Sequence, residues 1–244
     1  MLPRAHVHAV ARDPLDEALL LATHEGLVRR EGSNWTRVGP AIDLMGFTVV
    51  GPRHYLASGH PNMQADLPQP VGLIESTDGG RSWRVASRGG QSDFHALTMA
   101  RGHVVGFDGS LRRSADRLTW TAGASPGELR TLASSPDGST LLATTARGLM
   151  RSTDLGATWG PVADAPTLLH VVWGDGPAVV GVAPDGVVSR SDDGAATWRR
   201  TGTKVPPPQA VGAASRGGSS EVLVVTGDEV LTSLDGNDFR PVVD

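Results

Sequence analysis

The sequence predicts an all-β fold, a six-bladed β-propeller of four-stranded antiparallel blades. Three observations carry this. An aromatic residue recurs at Trp35, Trp83, Trp120, Trp159, Trp198 and Phe239, at spacings of 48, 37, 39, 39 and 41 residues. A period of about 40 residues is that of a propeller blade. Within each period, short apolar clusters alternate with turn residues, and no apolar pattern of helical period runs for a useful length.

Each blade reads as strands A to D in order. The first apolar stretch is "HAVA", "FTVV", "HALTMA", "RTLASS", "HVVWG" and "VGAAS" in the six units. The second is "LLLAT", "YLAS", "HVVGF", "LLATT", "AVVGV" and "VLVVT". The third is "GLVRR", "GLIES", "GSLRRS", "GLMRS", "GVVSRS" and "DEVLTS", and the fourth follows the aromatic residue. The blades fall near 5–40, 41–88, 89–124, 125–164, 165–203 and 204–244, a single domain. Because unit boundaries meet both chain ends, blade 6 is expected to close on blade 1 without an exchanged strand.

Between strands C and D lies the phrase Ser-x-Asp-x-Gly-x-(Ser/Thr)-Trp. It is complete in "ESTDGGRSW" (75–83) and "RSTDLGATW" (151–159), has Ala195 for Gly in "SDDGAATW", and is one residue shorter in "SADRLTW" and "SLDGNDF". In "EGSNW" the Asp is lost. An Asp here can accept backbone N–H bonds within its own turn, Gly supplies φ > 0, and Trp fills the gap between blades. The motif resembles the Asp-box, or BNR, repeat of sialidases, sortilin-like receptors, xyloglucanases and photosystem assembly factors. That resemblance covers the whole chain and implies a propeller with Asp-box turns, but no particular activity. It also implies that function sits on the face opposite these turns, at the starts of A strands and the ends of B strands.

Composition narrows the rest. There is no Cys, which excludes disulfides and thiolate metal sites. Lys and Arg total 22 against 26 Asp and Glu, a net charge of −4, so no basic nucleic-acid footprint is expected. No apolar run approaches a membrane span, and the first residues hold no signal-peptide core; a cytoplasmic monomer is expected.

Aligning the starts of the A strands gives the column His8, Gly46, His95, Arg130, His170, Ala210. Three histidines in alternate blades of a six-fold ring would converge on the axis. Such a set suits Zn, Cu, Fe or Ni and leaves open coordination positions. His24 and His60, at the ends of B strands, point to the same mouth, His24 as a fourth ligand and His60 as an acid or base. Asp93 and Glu128, each two residues before the column, could act as general base or orient a ligand ring, as could Glu25. Arg130, Arg88 and Arg147 fall on this face and could hold an anionic ligand. The loop 60–72, an insertion in blade 2, and the Pro-rich segment 201–210 could border a pocket.

Three functions follow as expectations. The first is a metal-binding protein or metal-dependent enzyme acting on a small molecule, with a transition metal on His8, His95 and His170. The second is a non-catalytic scaffold or assembly factor that binds a protein partner. The third, a sialidase-like hydrolase, is poorly supported, because the one tyrosine, Tyr55, lies on the wrong face.

Overall fold

The computed structural model describes residues 2–63 and 65–242. Blade 1 comprises β1 (Val7–Arg12), β2 (Leu19–Thr23), β3 (Gly26–Glu31) and β4 (Asn34–Val38). Blade 2 comprises β5 (Ile42–Gly51), β6 (His54–Pro61), β7 (Leu73–Ser76) and β8 (Arg84–Ser87), and blade 3 β9 (Ala96–Ala100), β10 (His103–Phe107), β11 (Leu111–Ser114) and β12 (Thr121–Ala122). Blade 4 holds β13 (Leu129–Ser134), β14 (Leu141–Thr145), β15 (Gly148–Ser152) and β16 (Gly160–Pro161). Blade 5 holds β17 (His170–Trp173), β18 (Val179–Val182), β19 (Val187–Ser191) and β20 (Arg199–Lys204). Blade 6 holds β21 (Ala210–Arg216), β22 (Ser219–Val225), β23 (Val230–Ser233) and β24 (Arg240–Pro241). Each sheet is a four-stranded antiparallel meander in sequence order. The fold is a six-bladed β-propeller, and its first and last blades meet through β1 and β21 with no strand exchanged.

The core is divided among the blade interfaces. One apolar cluster joins blades 1 and 2 through Leu20, Leu27, Ile42 and Ile74. Others join blades 2 and 3, 3 and 4, 4 and 5, 5 and 6, and finally 6 and 1. The recurring aromatic residue of each blade packs against the cluster it shares with the preceding blade: Trp83, Trp120, Trp159, Trp198, Phe239 and Trp35 in turn. These rings are half-buried and not fully enclosed. Each closes the outer edge of an interface whose centre is aliphatic.

The C–D turns show how a short polar phrase shapes the backbone. Ser76 Oγ accepts the Gly80 N–H at 2.8 Å and donates to Asp78 Oδ1 at 2.8 Å. Asp78 in turn accepts the Ser82 N–H at 3.0 Å and the Ser82 hydroxyl at 2.6 Å. Ser152, Asp154, Gly156 and Thr158 repeat the pattern, as do Ser191, Asp193, Ala195 and Thr197. Every carboxylate oxygen in these turns is occupied locally, so the turns are structural and carry no free acid.

Candidate functional site

The A strands of all six blades line a central channel of about 470 Å³, with His8, His95, Arg130 and Gly212 among its walls. At its mouth, on the face away from the C–D turns, three of these strands break register. β1 is bulged between Val7 and Ala9, β5 between Leu44 and Gly46, and β13 between Leu129 and Thr131. A bulge leaves one residue unpaired and re-aims its side chain. The residues so placed are His8, Met45 and Arg130.

Two histidine–carboxylate clusters result. In the first, His24 Nδ1 lies 2.8 Å from Asp43 Oδ2, His8 Nε2 lies 3.4 Å from His24 Nδ1, and His8 Nε2 lies 3.4 Å from Asp43 Oδ1. Oδ1 is nevertheless buried without a hydrogen bond. Burial pushes His8 down to about 4; Asp43 opposes this, while His24, His6 and His95 add to it. His6 packs edge-on against His8, ring centroids 4.9 Å apart, and is lowered by burial and then by His24 and Arg130.

In the second cluster, Asp93 Oδ2 is 2.9 Å from His60 Nε2 and 2.6 Å from His95 Nε2. Burial works to raise Asp93, but the bonds from His95 and His60 overcome it and hold the carboxyl low. The same bond raises His95 against the opposing effect of burial. Asp93 Oδ1 and His60 Nδ1 are buried without hydrogen bonds. The clusters repeat one device: a histidine ending the B strand of one blade meets an aspartate at the start of the next blade's A strand.

The predicted axial triad is corrected by this geometry. His8, His95 and His170 do not form a ligand set; the group with metal-ligand spacing among the described residues is His8, His24 and Asp43. His95 is drawn to Asp93. His170 opens β17 in regular register, opposite Val182, with no bulge to re-aim it. Its ring is buried, bonded to the Pro208 carbonyl and held at about 4 by burial, with the Arg130 charge adding. Asp43 was not legible as a site residue, because it lies three residues before Gly46 where Asp93 lies two before His95. The bulge in β5 absorbs that extra residue.

Of the predicted arginines, Arg130 is exposed on the channel wall and forms no ion pair among the described residues. Arg88 is committed instead to Ser92 Oγ at 2.5 Å and to Asp108 at 3.9 Å. Arg147 is exposed on the B–C turn of blade 4, outside the channel wall. Glu128 and Glu25 are exposed at loop ends on this face and line no part of the channel. The loop 60–72 packs down on the blade interface through Ala65, Leu67 and Val71, and its described residues do not line the channel; the tip residue Met63 is fully exposed. Within 201–210, Gln209 Oε1 accepts the Val7 N–H at 2.9 Å, tying blade 6 to blade 1.

Tyr55 is fully buried and donates to Asp13 Oδ2 at 2.5 Å. Burial and that bond push its hydroxyl well above the ordinary range. A buried phenol held protonated on the turn face supplies no nucleophile to the channel.

No protein-family model and no curated protein matches the chain. Solved structures do. A structure described as YCF48 bound to D1 peptide aligns over 98% of this chain and 83% of that one, at 18% identity and a TM-score of 0.60. An ancestral GH74 enzyme aligns over 96% of this chain but 40% of its own, at 15% identity and 0.59. The extracellular domain of a two-component system protein from B. thetaiotaomicron aligns over 99% of this chain and 33% of its own, at 9% identity and 0.63. A peptide-bound protein, an enzyme and an extracellular domain of a two-component system thus share the architecture, and the likeness establishes the propeller fold alone.

Proposed function

We propose that the protein is a non-catalytic binding propeller that takes an extended, carboxylate-bearing segment of a protein partner at the histidine-lined mouth. The observation that carries this is Arg130. It is a guanidinium on a bulge at the channel mouth, exposed and without an ion pair among the described residues, and near enough to His6 and His170 for its charge to lower both. An exposed forked cation with no carboxylate of its own suits the carboxylate of a bound segment. The peptide-bound YCF48 structure supports the reading as a precedent for this architecture.

The test uses a panel of fluorescein-labelled decapeptides, each made with acidic residues and with the matching amides. Anisotropy is expected to detect saturable binding of acidic members only. Arg130→Ala should weaken it roughly 10- to 100-fold, the loss of one charge-assisted bond. Leu118→Ser, on the opposite face, should leave it unchanged. Equal binding of acid and amide forms, or indifference to Arg130→Ala, would refute the reading.

A further inference from the structure

The geometry points to a mononuclear site for a divalent transition-metal ion of the zinc class, formed by His8 Nε2, His24 Nδ1 and the Asp43 carboxylate. The inference does not depend on the peptide reading. Three potential ligand atoms from three strand ends lie within 4.8 Å of one another. Two of the edges, His8 to His24 and His8 to Asp43, are each 3.4 Å. Zinc bonds of about 2.0–2.1 Å at tetrahedral angles place ligand atoms about 3.4 Å apart, so these edges already have the length a bound ion requires. The remaining contact, 2.8 Å between His24 Nδ1 and the other carboxylate oxygen, Asp43 Oδ2, is a hydrogen bond, and its proton occupies the place the ion would take. Metal binding therefore releases that proton.

The hydrogen bonds of the cluster leave one of its polar atoms unmet. If His24 Nδ1–H donates to Asp43 Oδ2, His8 Nε2 faces a nitrogen whose lone pair is already used. Asp43 Oδ1 is left buried with no hydrogen bond. A cation at the centre of the triangle would satisfy His8, His24 and Asp43 together.

The framework is stiff where it matters. His8 sits in β1, His24 directly follows β2, and Asp43 lies in β5 opposite His60. The edge-on His6 ring braces His8. Two imidazoles and one carboxylate without thiolate fit zinc, and also nickel, cobalt or ferrous iron, better than calcium or magnesium. Three protein ligands leave at least one position for water or for a group of a bound partner. The ligands come from blades 1 and 2, so the ion would staple those blades.

Tag-free protein stripped with chelator and titrated with zinc sulfate in a calorimeter tests this, with Co²⁺ absorption as a second readout. One equivalent should bind, and Co²⁺ should give a visible d–d band that zinc displaces. His24→Ala and Asp43→Asn should each weaken binding at least about 100-fold, more than loss of an outer-shell partner costs. His103→Ala should have no effect. Urea unfolding of the stripped variants confirms that they remain folded, and Asp43→Asn preserves the shape of the site. Binding below one equivalent, or binding indifferent to both ligand variants, would overturn the proposal. Loss on His95→Ala with retention on His24→Ala would also overturn it, by placing the ion at Asp93.

Discussion

Gly156→Ala probes the turn device at its tightest point. Gly156 has φ +79°, a conformation that costs an L-residue about 1–2 kcal/mol. A Cβ there would lie 2.1 Å from Leu111 Cδ2, and Leu111 is fully buried in the interface between blades 3 and 4. Forcing a methyl into a filled interface adds about 1–3 kcal/mol. The expected loss is therefore about 2–5 kcal/mol. Blade 5 provides the reverse experiment, since Ala195 already occupies the equivalent position at φ +68°, fully buried. Ala195→Gly relieves roughly 1 kcal/mol of backbone strain but removes a buried methyl worth about 0.8 kcal/mol, so its net effect should stay within about 0.5 kcal/mol of zero. Urea unfolding, with the slope compared among variants, measures both changes. A loss below about 1 kcal/mol for Gly156→Ala, or equal losses for the two variants, would refute the reasoning.

Other predictions concern acid and the turn face. His170 is lowered from 6.5 to about 4 by burial, so the unfolded chain takes up its proton first. Its contribution is fully present above pH 6.5 and is lost as pH falls towards 4, by about 3 kcal/mol; His170→Leu should flatten the unfolding free energy over that window. Hydrogen bonds from Thr158 and Ser152 hold Asp154 at about 2, so its contribution is present above about pH 4 and disappears as pH falls to 2. Asp154→Asn should remove that acid-sensitive component in a pH-resolved urea series. Tyr55→Phe leaves Asp13 short of a donor and should cost about 1–3 kcal/mol in urea unfolding. The same variant should leave peptide affinity unchanged in the anisotropy assay, because it lies on the far face.

The fold was readable because one side chain per blade is under the same constraint. Trp83, Trp120, Trp159 and Trp198 each close an interface, and a repeated packing role leaves a repeated letter in the sequence. The gathering of His8, His24, His60, Asp93 and Arg130 on one face was readable too, from the column alignment. Which of them touch was not. Contacts at the mouth depend on bulges at His8, Met45 and Arg130, and a bulge shifts facing by one residue without any marker in composition. Asp43 was hidden for that reason. His170 was misplaced by the same logic, because the column treats all six blades as if their A strands entered identically. The insertion 60–72 was visible as extra length, but its apolar residues Leu67 and Val71 anchor it to a blade interface and away from the channel.

The eight histidines divide the molecule into its own control. His6, His8, His24, His60, His95 and His170 lie at the mouth, whereas His54 and His103 begin β6 and β10 on the turn face. Imidazole resonances recorded while the tightest acidic peptide is titrated report both faces in one spectrum. The binding mouth predicts shifts in the mouth set, largest at the exposed rings of His24 and His95, with His54 and His103 still. Shifts confined to His54 and His103 would contradict it.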